Sequence, residues 1–405
     1  MSDTRVSRGG RIRLGAVDGD LRAEANVRIE VDGRLVVAGA ARFEGSAEVQ
    51  GSLECAEMRC ENGAMRVHGD LLVHGDLRSE DGSVEIGGAL TAADVDVDRR
   101  LRVEGPAKAH RVEVGGVLET MRGLEATSVS VGGRFEGHGP LRAGSVDAGG
   151  AVDVEDVTLE RLEAGGKIRL RSGTVRDEIE VGGMFEASGP LTFGDLDVGG
   201  MVNLAGPAHG RSISVGGILH ARADLEFDEL RIGGWGEIRG AAKGRAVDVG
   251  GRLKVGGDLL CTGEVSVGGS LVAGGRAEVD RLTIGGMAAA DRILARDRIE
   301  VGGAIRTEHG AKAATILLHR KSRAEGPLVG GRIVLESRAR AGDIYGTEVV
   351  LEEGAEAARV VGEVVRIGEG ARVGELVYRT SATIDPRARL TTAARQVADL
   401  GPAPL

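Results

Sequence analysis

The dipeptide Gly-Gly recurs about every seventeen residues through the middle of the chain, and this period restricts the possible folds more than any other feature. The first glycines of the pairs stand at positions 115, 132, 149, 165, 182, 199, 216, 233, 250, 268, 285 and 302. A period held over so many copies is typical of a solenoid, in which one small unit stacks on copies of itself. The chain is therefore expected to grow in one dimension.

Within each period a shorter pattern of about six residues predicts β-strands. Between Val249 and Val267 the chain reads VGGRLK, VGGDLL and CTGEVS, and each piece carries two apolar residues two positions apart. Alternation with period two indicates a strand, because successive side chains point to opposite faces. A helix is excluded by the glycine content, since each glycine would destabilise it by about 1 kcal/mol.

Both periods are satisfied by an all-β fold, a single-stranded parallel β-helix with three short strands per turn and a Gly-Gly pair at one corner. Glycine suits a corner because it adopts positive φ without a steric penalty. Stacked turns would pair at about 4.8 Å, which gives a rod on the order of 100 Å for residues 10–390. Two aliphatic rows are predicted to point inward. One precedes each pair and the other comes three residues after its first glycine: Val114, Val131, Val181, Val198, Val215, Ile232, Val249, Val267, Ile284 and Val301, then Leu118, Phe135, Val152, Phe185, Val202, Leu219, Leu253, Leu271 and Ile305.

The glycine pattern divides the chain into regions. Residues 1–9 are expected to be disordered, and 10–390 to form one continuous β-helix. Within it, residues 10–80 give irregular turns, 81–310 the Gly-Gly turns, 311–329 a junction without the pattern, and 330–390 a second repeat style. Residues 391–405 have short helical potential and are predicted to be a tail or a cap over the last turn.

Composition argues against several functional classes. A net charge of −10 does not favour nucleic acid, which needs a basic surface. The three cysteines, Cys55, Cys60 and Cys261, lack zinc-site spacing and are interpreted as buried thiols of a reducing compartment. Without a membrane span or signal peptide, the chain is expected in the cytoplasm, either free or close to a membrane. Membrane contact through the N-terminal arginines would be weak or indirect. They are Arg5, Arg8, Arg11 and Arg13.

Catalytic chemistry is not predicted. The turns are uniformly short, so no inserted loop forms a cleft, and the eight histidines are scattered. No phosphate-binding motif and no calcium-binding nonapeptide occurs, so neither a cofactor nor a metal is expected. A carbohydrate-active enzyme or an acyltransferase built on a β-helix stays the less favoured interpretation.

The position directly after each Gly-Gly pair is expected to face outward, yet it is apolar in four consecutive turns. The residues are Met184, Met201, Ile218 and Trp235. An exposed apolar row of this kind marks an interaction surface, here for lateral pairing or for a partner. The alternative is that this corner turns inward and the four side chains belong to the core.

The second repeat style carries a family resemblance. The run VVLEEGAEAARVVGEVVRIGEGARVGELV resembles bactofilins, which are polymer-forming cytoskeletal proteins, with Gly354, Ala355, Gly370, Ala371 and the pair Val373-Gly374 at matching positions. The best match covers about residues 330–390, and the Gly-Gly turns look like a long, divergent member of the family. The resemblance implies a right-handed β-helix that assembles end to end without nucleotide, with itself and other cytoskeletal or cell-envelope proteins as partners.

End-to-end assembly has a physical basis in this fold, because a β-helix exposes unpaired strand groups only at its two ends. The predicted interface residues are the aliphatic side chains of the terminal turns. They are Val373, Leu376, Val377 and Ile384 at the C-terminal end, and Ile12, Leu14, Val27 and Ile29 at the N-terminal end. The alternative function is a β-helix interaction or filament-binding module that does not polymerise.

Overall fold

The computed structural model describes residues 3–6, 10–24 and 26–404 and divides the chain into two compact units, Met1–Gly199 and Gly200–Leu405. In the described residues every element is a β-strand, and the strands pair in parallel, one turn with the next. The prediction of an all-β parallel β-helix is confirmed. Arg8, one of the N-terminal arginines predicted to contact a membrane weakly, lies outside the described residues.

The strands of the first unit range from two to fifteen residues. They are Thr4–Val6, Gly10–Arg13, Ala16–Val17, Leu21–Glu24, Val27–Glu30, Arg34–Glu44, Ala47–Val49, Ser52–Glu61, Ala64–Val67, Leu71–Val73, Leu77–Glu80, Ser83–Ile86, Leu90–Thr91, Asp94–Val97, Arg100–Val103, Ala107–Lys108, Arg111–Val114, Val117–Thr120, Leu124–Val131, Arg134–Ala148, Ala151–Ala164, Lys167–Val181, Met184–Ala187 and Leu191–Val198.

The second unit repeats this plan, and its strands lengthen towards the C-terminus. They are Met201–Leu204, Ala208–Val215, Ile218–Ala221, Leu225–Ile232, Trp235–Ile238, Ala242–Gly244, Ala246–Val249, Arg252–Val255, Leu259–Cys261, Glu264–Val267, Ser270–Ala273, Arg276–Ile284, Met287–Ala290, Arg292–Val301, Ala304–Thr307, Ala311–Leu318, Arg323–Glu325, Leu328–Leu335, Arg340–Leu351, Glu356–Ile367, Arg372–Ile384, Arg389–Leu390 and Arg395–Gln396.

One turn of the second unit illustrates the three faces. Face A directly follows a Gly-Gly pair, as in Ile218–Ala221. Faces B and C share the strand Leu225–Ile232, which buries Leu225 and Phe227 on face B and Leu230 and Ile232 on face C. Face C therefore directly precedes the next pair. The same order of faces defines A, B and C in the first unit.

Two side chains from each face point into the core. All residues of the two predicted inward rows are at most 2% exposed, so that prediction is confirmed. Because register is kept from turn to turn, each row stacks like on like, as Phe135 does on Leu118. Burying one such aliphatic side chain contributes about 1.5–3 kcal/mol, so these rows are the main stabilising feature of each unit.

The Gly-Gly pairs lie at bends between faces C and A, as predicted, but the expected reason is wrong. In the described part of the chain, none of these array glycines has positive φ. A Cβ atom on Gly132 would instead lie 2.3 Å from the carbonyl oxygen of Gly115, and one on Gly285 would lie 2.3 Å from that of Gly268. The array needs glycine because adjacent turns approach each other too closely at this corner for any side chain.

Two regions, and the tail described below, differ from the prediction. Thr4–Val6 is not disordered, because its half-buried Thr4 and Val6 extend the inward rows and pair with Leu21 and Ala23. The supposed junction at 311–329 is regular, with Ala311–Leu318 paired on both sides.

The tail has no helix in its described residues. Instead Arg395–Gln396 adds a strand alongside Val377 and Tyr378. It extends the ladder by one strand rather than covering it, because its backbone follows the register of the strand before it.

The regular path through 311–329 depends on a different corner. Lys321 adopts positive φ (65°), and the Ser322 amide donates to the His319 carbonyl at 3.0 Å. Ser322 is fully buried. A hydrogen-bonded turn therefore replaces the Gly-Gly bend, and the coil continues without a break.

Candidate assembly surfaces

The first turn of the first unit leaves one edge of the ladder open. Thr4–Val6 pairs with face C of the second turn, Gly10–Arg13 with face A and Ala16–Val17 with face B. On their other side these strands have no partner among the described residues. Val6 and Ile12 are half-buried, whereas Val17 on face B is buried like the inward side chains of complete turns. The first turn is thus an apolar rung covered on one side only.

The last turn of the second unit leaves the opposite edge open. Face C ends with Ser381 to Ile384 in the strand Arg372–Ile384, face A with Arg389–Leu390 and face B with Arg395–Gln396. Ile384 and Leu390 are half-buried there. Each end of the chain therefore presents a full turn in the same order, face C, then A, then B.

The predicted interface residues are divided between edge and interior. Ile12, Leu14 and Ile384 lie in the terminal turns and are half-buried. Four others lie one turn further inside. They are Val27, Ile29, Val373 and Leu376.

Val377 is buried, at 4% exposed, but the alternation of its strand places it on the outward side rather than in the predicted inward row. It follows Leu376 directly, and consecutive residues of a strand face opposite ways. Leu376 continues the fully buried row of Ile344 and Val360, so Val377 belongs to the outward side. Leu390 and Val6, which the prediction omitted, occupy the edge itself. The pairing register of the first strand identifies Val6, and that of the strand Arg389–Leu390 identifies Leu390.

Both edges carry outward arginines, and most of these form ion pairs with the neighbouring turn, whereas the side chain of Arg389 forms none among the described residues. Arg11 pairs with Glu30 at 3.3 Å and Arg13 with Asp32 at 2.9 Å. At the other end Arg395 pairs with Glu375, at 3.7 Å. Such exposed pairs contribute about 0–1 kcal/mol each. Their effect is to reduce the charge that another copy would meet.

The apolar row faces outward in each unit. Met184 in the first unit and Met201, Ile218 and Trp235 in the second alternate with buried or core-facing residues, and all four are half-buried. The alternative of a core position is therefore wrong. Trp235 is held by His220, whose ring meets the indole edge to face with centroids 4.7 Å apart.

A groove that the sequence did not predict runs along face B of the second unit and the bend between faces B and C. It has a volume of about 1300 Å³, and its floor follows the outward row of face B. That row reads Glu226, Lys243, Leu260, Glu278, Leu294 and Lys312. The groove arises from the concave bend between two faces, so the absence of long loops did not exclude it. Several of its charges are paired, as in the contact between Arg296 and Asp280 at 3.1 Å.

The eight histidines are spread along the chain, as the sequence suggested, but each lies beside a carboxylate of an adjacent turn. The pairs are His68–Glu48, His74–Glu54, His110–Asp94, His138–Glu155, His209–Glu226, His220–Glu237, His309–Asp291 and His319–Glu336. A hydrogen bond from His68 holds the pKa of Glu48 below its usual range. The histidines therefore belong to the polar contacts that join successive turns.

One cluster has the composition of a metal site. Asp291, Glu308 and His309 place ligand atoms within 4.8 Å of one another. The latter two are exposed, and His309 already contacts Asp291 through its Nδ1 atom. We assign no metal to this cluster.

The cysteines are buried and unpaired, as predicted for Cys55, Cys60 and Cys261. Burial raises the pKa of each thiol to about 12. At neutral pH these thiols react slowly, because the thiolate is the nucleophile.

No known protein family, curated protein or solved structure matches this chain. In residues 3–6, 10–24 and 26–404, no helix has the length and apolar character needed to cross a membrane.

Proposed function

We propose that this protein is a structural element of the cytoskeleton that assembles end to end into filaments without nucleotide. The observation that carries the proposal is the match between the two open edges. Both present faces C, A and B in that chain order, with strands that are paired on one side only. The N-terminal edge of one copy therefore fits as the next turn after the C-terminal edge of another.

The match extends to the inward side chains. With face C on face C, Val6 of one copy lies opposite Ile384 of the other. With face A on face A, Leu390 lies opposite Gly10, with Ile12 at the next inward position. In a single copy Val6, Ile12, Ile384 and Leu390 are half-buried. Joining the edges removes their remaining apolar surface from water, at about 25 cal/mol per Å². It also pairs strand groups that otherwise invite unspecific pairing.

The outward side chains set the conditions of assembly. Arg11 of one copy is a diagonal neighbour of Arg389 of the next on the outward side, and these exposed charges repel. Salt screens such charges over about 10 Å at 0.1 M. Assembly is therefore expected to improve between low and moderate ionic strength, which separates this joint from one held by ion pairs.

The cellular role follows from such a polymer. A filament of this kind scaffolds cell shape or positions other cytoskeletal and cell-envelope proteins, as the bactofilin-like segment implies. The proposal assigns the chain to that family as a long member, located in the cytoplasm, and assigns it no reaction.

The groove of the second unit favours one alternative, an interaction module that does not polymerise. Its mixed charges, with Leu260 and Leu294 on the floor between them, are suited to a protein partner. A homogeneous monomer at high concentration would support this alternative.

The joint is tested by cross-linking between copies. A double variant, Val6→Cys with Ile384→Cys, is treated at neutral pH with a short bismaleimide, to which the buried native cysteines react slowly. We expect a ladder of covalent oligomers from the double variant and none from either single variant. Thr174→Cys, at an exposed position of a complete turn, is the matched control. Cross-linking of a single variant to itself, or an absence of ladders, would contradict the joint.

A further inference from the structure

Face A of the second unit carries a flat outward surface that continues in register through six turns. Its first row stands directly after the glycine pairs, and its second row two residues later. The first row reads Met201, Ile218, Trp235, Arg252, Ser270 and Met287. The second reads Asn203, His220, Glu237, Lys254, Val272 and Ala289. We call this surface the face A patch.

We propose that the face A patch binds the same patch of a second copy, antiparallel, about a two-fold axis between the turns of Trp235 and Arg252. This proposal rests on the proposed function, because it joins two end-to-end filaments side by side. Two sheets pack face to face at about 10 Å, and a two-fold interface uses the same surface on both partners.

An axis along the strands places each row opposite itself with the order of turns reversed. Trp235 then lies opposite the partner copy's Arg252, and Met201 opposite its Met287. A guanidinium on an indole face is a favourable cation–π contact. His220 fixes the indole on which that contact depends.

The second row pairs charge with opposite charge in the same register. Glu237 lies opposite the other copy's Lys254, and Lys254 opposite its Glu237. Within one copy Lys254 already donates to Glu237 at 3.1 Å. In the pair, the two copies form a closed ring of four alternating charges at the centre of the patch.

Charge also excludes the neighbouring arrangements. Moving the axis onto the turn of Trp235 places Glu237 opposite itself, and moving it onto the next turn places Arg252 and Lys254 opposite themselves. A parallel arrangement places Arg252 opposite Lys254. Like charges directly opposite one another are destabilising, so one register is selected.

The size of the patch explains why filaments matter. Six turns at about 4.8 Å and a four-residue strand give on the order of 400 Å² per copy. A stable interface needs about 1,200 Å² or more in total. One contact is therefore weak, but a filament repeats it in every subunit, and linked contacts bind far more tightly than single ones.

The test uses two charge-reversal variants. Each places like charges opposite one another in a pair of identical copies, but opposite charges face each other when one variant pairs with the other. Glu237→Lys places two lysines opposite each other, and Lys254→Glu places two glutamates opposite each other. We expect wild-type filaments to be paired by electron microscopy and filaments of either variant alone to be single. Mixing preformed filaments of the two variants restores pairing, although the pair within each copy stays broken. Single wild-type filaments, pairing that survives in either variant, or a mixture that stays single would overturn the proposal.

A second measurement separates this inference from the proposed joint. Leu390→Asp blocks the C-terminal edge and leaves the face A patch unchanged. In sedimentation equilibrium this variant is expected to form a weak dimer at high concentration, and the dimer is lost when Trp235→Ala is added. A dimer without filaments in the wild type would contradict the joint alone, whereas filaments with a strictly monomeric Leu390→Asp would contradict the patch alone.

Discussion

The second unit builds the same corner in two ways. In the Gly-Gly array, as at Gly285, the backbone bends with ordinary φ and rests directly on the turn before it. After His319, the corner is a hydrogen-bonded turn with one residue at positive φ. Both bring face C to face A. The array requires glycine because the neighbouring turn lies too close, whereas the hydrogen-bonded corner only favours glycine, because of its backbone conformation.

The hydrogen-bonded corners share one geometry. The amides of Ala339, Ala355 and Ala371 donate to carbonyls three residues earlier, at 3.0, 3.1 and 3.3 Å. The residue before each alanine has positive φ, as at Arg338 and Gly354. Positive φ at the third residue is typical of a type II turn. Here glycine is favoured but replaceable, since Arg338 occupies one such position.

The largest loss of stability is expected when a methyl group is added to a glycine of the Gly-Gly array. Gly285→Ala places a Cβ atom 2.3 Å from the Gly268 carbonyl oxygen, which belongs to the backbone and cannot move aside cheaply. Overpacking of this kind costs about 3 kcal/mol. Thermal unfolding followed by circular dichroism measures the loss, and a variant as stable as the wild type would show that the turns are not closely stacked.

The same substitution in a hydrogen-bonded corner is expected to cost less. A Cβ atom on Gly370 would have no neighbour within 4 Å, so only its φ of 66° opposes alanine. That strain costs about 1 kcal/mol. Gly370→Ala is the matched partner of Gly285→Ala in the same unfolding assay. Equal losses in the two variants would remove the distinction between the corners.

A stabilising substitution is expected at the hydrogen-bonded corner where arginine stands in place of the favoured glycine. Arg338 has a φ of 60°. Asparagine tolerates this conformation better than other residues with a side chain. Arg338→Asn should stabilise by about 0.5 kcal/mol. Unfolding in urea measures the shift, and Arg338→Ala, which keeps the strain, should show no gain.

The smallest expected change in stability comes from Glu237, which lies on a strand rather than at a corner, and it depends on pH. A hydrogen bond from Lys254 lowers the pKa of Glu237. The folded state therefore binds this proton less readily than the unfolded state, so the stabilisation is present at neutral pH and is lost as the pH falls through the acidic range. Glu237→Gln should reduce stability at pH 7 but not at pH 3. A loss of equal size at both pH values would contradict this assignment.

The sequence predicted the inward rows because period two and period seventeen together determine which residues face the core. It did not predict why glycine is needed, since the contact between Gly285 and Gly268 depends on how closely turns stack. It also could not orient Leu376 and Val377, because two adjacent apolar residues fit the alternation in either phase. The groove and the edge residues Val6 and Leu390 require the register of the folded chain.

The most direct test of the account is negative-stain electron microscopy of the purified chain, with neither nucleotide nor metal added, beside the Leu390→Asp variant. We expect filaments from the wild type and none from the variant, with the same circular dichroism spectrum for both. Isolated particles from the wild type at all concentrations, or unchanged filaments from Leu390→Asp, would contradict assembly through the terminal turns.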